Sequence, residues 1–347
     1  MFSKKNLLPL VVSTVSCILV TLLLLAMGTS TEAQDMASVI EGAKKEGKVV
    51  FYTGMTLNPD TTAMVAEFEK KYPFVKVQTL RLSGENLLTR ALTEARAKTP
   101  KADIFQASVI QVSQMKENGL LMKYIPPEGE AYGKFRDPEG FWTGTYILPY
   151  VITYNTKLIS RQEAPKKYED LLDPKWKGKI GLESEEYQWF FHLIKIMGRE
   201  KGIDYMKALS KQNLEFRKGH PLLNTLCTSG EIPIVVVCYL NEIEVLKTEG
   251  APLEWVRFES FPTITAINGI SIVKTASNPN AAKLFYNFMI SKDGTDVFRK
   301  VFRVPARPGE EPAAVRGLDL YPAFPDELLA DYKQVVKEWE EIFHPPR

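Results

Sequence analysis

Apolar and polar positions alternate with two different periods between residues 48 and 123. Three short runs rich in β-branched and aromatic residues predict strands at residues 48–52, 75–80 and 102–105. Between these runs, apolar residues recur at spacings of three and four, which predicts amphipathic helices. Asn58, Ser83 and Ser108 stand where the helices begin and are residue types that cap helices. Strands and helices therefore alternate, which predicts a mostly parallel, doubly wound α/β lobe.

The same alternation resumes after residue 155 and predicts a second lobe. Residues 145–157 carry the β-branched and aromatic residues of a strand, and residues 264–273 have the pattern of a return strand. We therefore expect an α/β protein of two doubly wound lobes joined by two crossing strands, with the ligand in the cleft between the lobes. The predicted ranges are 34–146 for the first part of lobe 1, 147–264 for the inserted lobe 2, and 265–347 for the second part of lobe 1 with a C-terminal helix at 326–343.

The first 33 residues have the pattern of an export signal. Lys4 and Lys5 precede an apolar run over residues 7–27, and Thr31 and Ala33 give a small-x-small cleavage pattern. The apolar run is also long enough to span a bilayer, so an uncleaved membrane anchor is the alternative. Cys17 lies in the middle of the run, which disfavours a lipoprotein junction. We expect a periplasmic or extracellular protein.

The charge composition bears on which partners the protein binds. The formal net charge of +2 and the absence of a long basic run give no reason to expect nucleic acid as a partner. Cys227 and Cys238 are the two cysteines beyond the signal, and we expect them either to form a disulfide or to be two buried thiols. The spacing of the residues does not decide between these states.

Motifs of common enzymes are absent from the sequence, including the nucleophile elbow, the phosphate-binding loop and the zinc-protease helix. The histidines have no partner at metal-ligand spacing, and His192 lies in an aromatic stretch that favours packing. We therefore expect no catalysis and no cofactor. An exported lyase or transferase, and a membrane-tethered sensor domain, are the alternatives from other functional classes.

Six segments resemble, in their order and spacing, the solute-binding proteins of bacterial ABC importers, in the subgroup that includes ferric-iron-binding proteins. The segments are residues 47–54, 102–105, 154–158, 176–180, 230–233 and 277–285. The resemblance implies a type II periplasmic-binding-protein fold. It also implies a monomer that captures a solute between its lobes and hands it to a membrane permease.

The resemblance leaves most ferric ligands unmatched. The positions of the family's His, Glu and tandem Tyr ligands fall on Thr56, Ser108, Leu240 and Asn241, and Tyr239 stands just before the Tyr pair. Iron held by Tyr239 and Glu183 with an exogenous anion is the alternative. Otherwise we expect no metal.

Residues at the carboxyl ends of the strands are the candidate ligand contacts, because ligands of open α/β sheets bind there. They are Tyr52, Thr53, Thr56, Arg81, Ser83, Ser108, Tyr150, Glu183, Tyr239 and Asn241. Hydroxyl donors, the starts of three helices and Arg81 favour a small organic anion, of the carboxylate or phosphonate class.

Each candidate also has a purely structural interpretation. Arg81 could form a salt bridge with Glu85, the tyrosines could pack in the core, and the Ser and Thr residues could cap helices. The acidic residues from Glu183 to Glu186 could be a solvated face.

Overall fold

The computed structural model describes residues 36–344. The predicted export signal at residues 1–33 and Cys17 lie outside the described residues. Within residues 36–344, no helix has the combined length and apolar character that crossing a membrane requires.

Lobe 1 begins with alternating strands and helices. Its first elements are helix α1 over residues 36–46, β1 (Lys48–Thr53), α2 (Thr62–Lys71), β2 (Lys76–Arg81), α3 (Gly84–Arg96), β3 (Ile104–Ser108), α4 (Val109–Glu117) and β4 (Leu121–Met122). β1 pairs in parallel with β2 on one side and with β3 on the other. The predicted alternation of strands and helices is confirmed.

Strand β5 (Thr143–Asn155) links the two lobes. Its first half pairs with the antiparallel strand β10 (Thr263–Val273), which in turn pairs with β3 of lobe 1. Its second half, from Tyr150 to Tyr154, pairs with β8 (Ile234–Tyr239) of lobe 2. The two crossing strands predicted from the sequence are therefore present, and both are almost fully buried.

Lobe 2 repeats the doubly wound pattern on a smaller sheet. Its elements are β6 (Ile180–Glu183), α5 (Tyr187–Met197), α6 (Arg199–Ser210), β7 (Glu215–Arg217), α7 (His220–Ser229), β8, α8 (Leu240–Thr248) and β9 (Leu253–Trp255). β6 pairs in parallel with both β7 and β8. The parallel strands end at the same edge, which faces lobe 1.

The chain returns to lobe 1 and then crosses again. α9 (Pro279–Ile290), α10 (Lys292–Lys300) and β11 (Val304–Pro305) belong to lobe 1. They are followed by β12 (Leu320–Pro322), α11 (Pro325–Ala330) and α12 (Tyr332–Phe343). Although the sequence analysis groups the C-terminal helix with lobe 1, α12 packs on α5 and α6 of lobe 2, and Trp339 is fully buried there. The range boundaries of the lobes stay a prediction.

Two of the predicted helix bounds are wrong. The backbone of Asn58 is extended and helix α2 begins only at Thr62, after a wide turn over Leu57–Thr61. The single C-terminal helix expected at 326–343 is two helices separated at Asp331.

Cys227 and Cys238 are free and buried, which is the second of the two states expected. Burial raises the pKa of the Cys227 thiol to about 12, so this thiol is an unreactive apolar packing group.

Candidate functional site

A cavity of about 1200 Å³ lies between the lobes. Helix α4 of lobe 1 forms one wall, and the loop from β6 to α5 with the end of β8 forms the wall on lobe 2. The segment from Leu328 to Lys337 closes one side. The volume is large enough for a small organic solute.

Two predicted ligand contacts at the end of β1, Tyr52 and Thr53, are buried in lobe 1. Tyr52 is buried on the side of α3, where its hydroxyl donates to Glu94 Oε1 at 2.9 Å, so this geometry does not support the prediction that Tyr52 contacts ligand. Thr53 is also buried, and its hydroxyl donates to Gln106 Oε1 and accepts from the Met55 amide. Thr53 therefore shapes the strand end.

Arg81 is exposed at the end of β2. Its Nε donates to the carbonyl oxygen of Met55 at 3.3 Å, and no carboxylate of the described chain pairs with it. The alternative salt bridge with Glu85 does not form, because Glu85 accepts from Gln111 Nε2 at 2.8 Å. Arg81 thus has an exposed guanidinium beside the Met55 carbonyl, at the strand end that precedes α3.

A buried arginine that the sequence analysis missed contacts both lobes. Arg303 Nε is 2.8 Å from Asp60 Oδ2, and its Nη2 donates to Thr56 Oγ1 at 3.3 Å. Its guanidinium also lies over the ring of Tyr146, 5.0 Å from the ring centre. With the Asn241 amide turned to satisfy its neighbours, Arg303 Nη1 donates to the Asn241 oxygen at 3.2 Å. Because Asn241 belongs to lobe 2, this hydrogen bond crosses between the lobes.

An unusual helix end just before Arg303 positions this residue. Helix α10 ends with Phe302 in the left-handed region at a φ of 61°. The Arg303 amide then donates back to the Phe298 carbonyl at 2.8 Å. This closure resembles a glycine-type helix end, but Phe occupies the position that glycine normally takes. Because no glycine stands at this position, the sequence does not indicate the turn that places Arg303 between the lobes.

Ser83 and Ser108 occupy the N-cap positions of α3 and α4, as predicted, but neither side chain makes a capping hydrogen bond. Their hydroxyls therefore do not satisfy the first amides of these helices. Ser83 is exposed and Ser108 is half-buried.

Two stacked tyrosines form the wall on lobe 2. The rings of Tyr150 and Tyr239 lie 5.8 Å apart with an angle of 29° between them. The Tyr150 hydroxyl donates to Gln188 Oε1 at 2.9 Å. Burial raises the pKa of both phenols well above its ordinary value, and the nearby carboxylates raise it further. Both side chains are neutral phenols at physiological pH.

Acidic side chains surround these rings. Glu183 accepts from the amides of Glu185 (2.6 Å) and Gly219 (3.1 Å), so it holds the loop that it begins. Glu186 lies 3.2 Å from His220 Nε2. Burial lowers the pKa of His220, but the Glu186 carboxylate outweighs this effect and the net shift is upward. The interpretation of Glu183 as a solvated side chain is wrong, because it is 9% exposed.

Tyr239 lies between the His220–Glu186 pair and Tyr146. Its ring lies 4.2 Å from the His220 ring, and its phenol is within electrostatic reach of both Glu186 and Tyr146. Tyr146 in turn contacts Arg303. Arg303 therefore joins Thr56 of lobe 1 to Asn241 of lobe 2, whereas Tyr52 and Thr53 belong to the core of lobe 1. Of the predicted ligand contacts, Tyr150, Glu183 and Tyr239 line the cavity, and Thr56, Arg81, Ser83, Ser108 and Asn241 are not among its lining residues. In residues 36–344, no group of three or more His, Cys, Asp or Glu side chains is arranged to hold a metal ion.

The fold defines the class of protein. Two α/β lobes joined by crossing strands over a cleft constitute the type II periplasmic-binding-protein fold, which relatives of known structure share. The iron-bound HitA from Pseudomonas aeruginosa superposes with a TM-score of 0.70 at 22% identity, over 83% of this chain and 99% of HitA. AfuA from Actinobacillus pleuropneumoniae, solved with exogenous fructose-6-phosphate bound, gives 0.71 at 26% identity over 86% and 98%.

Sequence comparison then gives the family. The model of the bacterial extracellular solute-binding proteins matches residues 99–326. This chain is therefore a member of that family, whose proteins bind solutes and do not catalyse reactions. The resemblance drawn from the six segments is confirmed.

Curated relatives span most of the chain at low identity. An uncharacterised protein from Haemophilus influenzae is 27% identical over 290 residues, 79% of this chain and 81% of the relative. The Fe(3+)-binding periplasmic protein of Serratia marcescens is 22% identical over 293 residues, 81% and 82% of the two chains.

Proposed function

We propose that this periplasmic solute-binding protein captures a small organic anion between its lobes and delivers it to the permease of an ABC importer. The family membership gives the general role. The anionic class of the solute is our proposal, and it rests on Arg81 and on the starts of helices α3 and α4.

The observation that carries the proposal is the exposed guanidinium of Arg81. Its Nε contacts the carbonyl oxygen of Met55, and the hydroxyl of the next residue, Thr56, contacts the second guanidinium, that of Arg303. Arg303 is neutralised by Asp60, whereas Arg81 has only a backbone carbonyl as a partner among the described residues. A planar guanidinium without a carboxylate partner suits the paired oxygens of a carboxylate or phosphonate.

The starts of α3 and α4 add to this attraction. Ser83 and Ser108 hold the N-cap positions, and the first amides of both helices receive no side-chain cap. The positive end of a helix dipole and its uncapped amides stabilise a nearby negative charge.

Ferric iron is the second candidate, favoured by the contact of Tyr239 with His220 near Glu186. Thr56, Ser108, Leu240 and Asn241 stand where the resemblance implies ferric ligands, and none of them supplies an anionic oxygen. Two carboxylates and one phenol would have to hold the ion with an added anion. Iron bound by Tyr239 would show a tyrosinate-to-iron charge-transfer colour after incubation with ferric citrate.

The test begins with native mass spectrometry of the purified protein, which identifies a co-purified solute by its mass. Titration of that solute should then show binding weakened about tenfold or more by Arg81→Ala, because a charge-assisted hydrogen bond contributes roughly 1.5–3 kcal/mol. Tyr239→Phe should have a smaller effect, since it removes one neutral hydrogen bond.

Arg96→Ala is the matched control, because Arg96 is an exposed arginine at the far end of α3. It should leave the affinity unchanged. If Tyr239→Phe weakens binding more than Arg81→Ala, the ferric candidate gains and the anion proposal is wrong.

A further inference from the structure

The cavity between the lobes is lined by hydrogen-bonding groups that carry no charge and have no partner. Within residues 36–344, the hydroxyls of Tyr187, Tyr239 and Tyr332 form no hydrogen bond, and neither does Gln114 Nε2. None of these four atoms is enclosed by protein. Gln114 belongs to α4 of lobe 1, Tyr187 and Tyr239 to lobe 2, and Tyr332 to the start of α12. One ligand in this cavity therefore meets free polar groups on both sides.

The three phenols keep their protons. Burial raises the pKa of Tyr187, Tyr239 and Tyr332, and nearby carboxylates raise it further. A protonated phenol both donates and accepts a hydrogen bond. A ligand hydroxyl has the same two capacities, so it matches these groups in either direction.

The carboxylates on the lobe 2 side of the lining are already compensated inside the protein. Glu183 accepts from two backbone amides, Glu186 lies 3.2 Å from His220 Nε2, and Glu185 pairs with Lys218 at 3.1 Å. This wall therefore does not select its ligand by charge alone. The other charged residues of the lining are exposed, and they are Glu85, Glu117, Asp331, Lys333 and Lys337.

The tyrosine rings are packed against other aromatic rings. Tyr239 stacks on Tyr150 with 5.8 Å between the ring centres, and Tyr187 lies edge to face with Tyr332 at 5.9 Å. A tyrosine side chain has an apolar face and a polar tip. A sugar or polyol divides its surface in the same way, between C–H groups and hydroxyls, so it can contact the ring and the hydroxyl of one tyrosine together.

We infer that the captured solute has a hydroxyl-rich body, as sugar acids and sugar phosphates have, and that the free hydroxyls of Tyr187, Tyr239 and Tyr332 bind the hydroxyls of this body. The inference deepens the proposed function and rests on it, because it takes the capture of an organic anion between the lobes as given. Gln114 Nε2 on the opposite wall would donate to the same body, so the solute would bridge the two lobes.

Matched pairs of probes test the inference by calorimetry on the purified exported protein. The pairs are gluconate against hexanoate, glucose 6-phosphate against hexyl phosphate, and ribose 5-phosphate against pentyl phosphate. The members of a pair share the number of carbons and the anionic group but differ in their hydroxyls. At least one hydroxylated probe should bind about tenfold or more tightly than its partner, the effect of two or more neutral hydrogen bonds.

Tyrosine-to-phenylalanine variants locate the contact. Tyr187→Phe, Tyr239→Phe and Tyr332→Phe should each lower the affinity for the preferred hydroxylated probe by about two- to tenfold, without weakening its partner. Each substitution leaves the fold intact, because these hydroxyls have no partner within the described residues. Tyr72→Phe is the matched control, because Tyr72 ends α2 and is not among the lining residues. It should leave both affinities unchanged.

The outcomes separate this inference from the proposed function. If both members of every pair bind equally and Arg81→Ala weakens both, the hydroxyl-rich body is wrong and the anion proposal stands. If glucose and sorbitol bind as tightly as the anionic probes and Arg81→Ala has no effect, the hydroxyl contacts stand and the anion proposal is wrong. Failure of every hydroxylated probe to bind, or equal effects of the tyrosine variants on both members of a pair, overturns the inference, while native mass spectrometry of a co-purified solute still tests solute capture.

Discussion

At the scale of single residues, the buried ion pair with Asp60 holds Arg303 in its position between the two lobes. Arg303 is 9% exposed and Asp60 is 4% exposed, so removing one partner leaves a buried charge alone. Arg303→Met should lower the free energy of unfolding by about 3–5 kcal/mol. Urea denaturation followed by tryptophan fluorescence measures this change.

The control for that prediction is Lys71→Ala, which breaks the ion pair with Asp293 at the surface. Exposed pairs contribute little, so the loss should stay below about 1 kcal/mol. Equal losses in the two variants would contradict the role assigned to Arg303.

A second single residue gives a prediction about pH. Burial lowers the pKa of His192 to about 4, against 6.5 for an exposed histidine. The unfolded chain therefore binds this proton first, and stability is lost as pH falls from about 6.5 to about 4, by up to about 3 kcal/mol from this group. His192→Phe should remove this dependence. As the pH falls, the variant should therefore lose less stability than the wild type. Thermal melts at pH 7.5 and 4.5 measure it, and a difference that does not change with pH would show that His192 is solvated.

At the scale of elements, the packing of α6 on α5 requires a glycine. A Cβ added to Gly202 would lie 2.6 Å from Ile194 Cα and 2.9 Å from the Ile194 carbonyl oxygen, both of them backbone atoms. Gly202→Ala should therefore destabilise the protein by about 1–3 kcal/mol, although alanine is the better helix former. Lys207→Ala, at an exposed position of the same helix, should change stability by less than about 0.5 kcal/mol. Chemical denaturation compares the two, and a stabilised Gly202→Ala protein would contradict the close contact of the helices.

At the scale of the whole molecule, ligand binding should close the lobes about β5 and β10. These two strands connect the lobes within the sheet, and α11 contacts α4 of lobe 1 while α12 packs on lobe 2. Closure should therefore move the C-terminal segment with lobe 2 across the surface of lobe 1. Small-angle scattering with a verified ligand should show a smaller radius of gyration, and Arg81→Ala at the same ligand concentration should not. An unchanged radius in the wild type would contradict the hinge.

Much of the fold could be predicted because it depends on local patterns. The strand-helix alternation and the crossing strands follow from side-chain periodicity and backbone preference, which neighbouring residues decide. The C-terminal segment could not be placed this way. The amphipathic pattern of α12 shows that one face is buried but does not say against which lobe, and Trp339 is buried on lobe 2.

The candidate site divides in the same way. The sequence by itself determined that Arg81, Ser83, Ser108 and Tyr239 stand at strand and helix ends, because an element's end is a local property. Only the tertiary structure decided which of these ends meet. Arg303 is distant from Asp60 by 243 positions, and its turn uses a phenylalanine where a glycine would have marked it. Charges that pair, and buried atoms such as Asn224 Oδ1 that lack a partner, are relations between distant segments, so they exist only once the chain has folded.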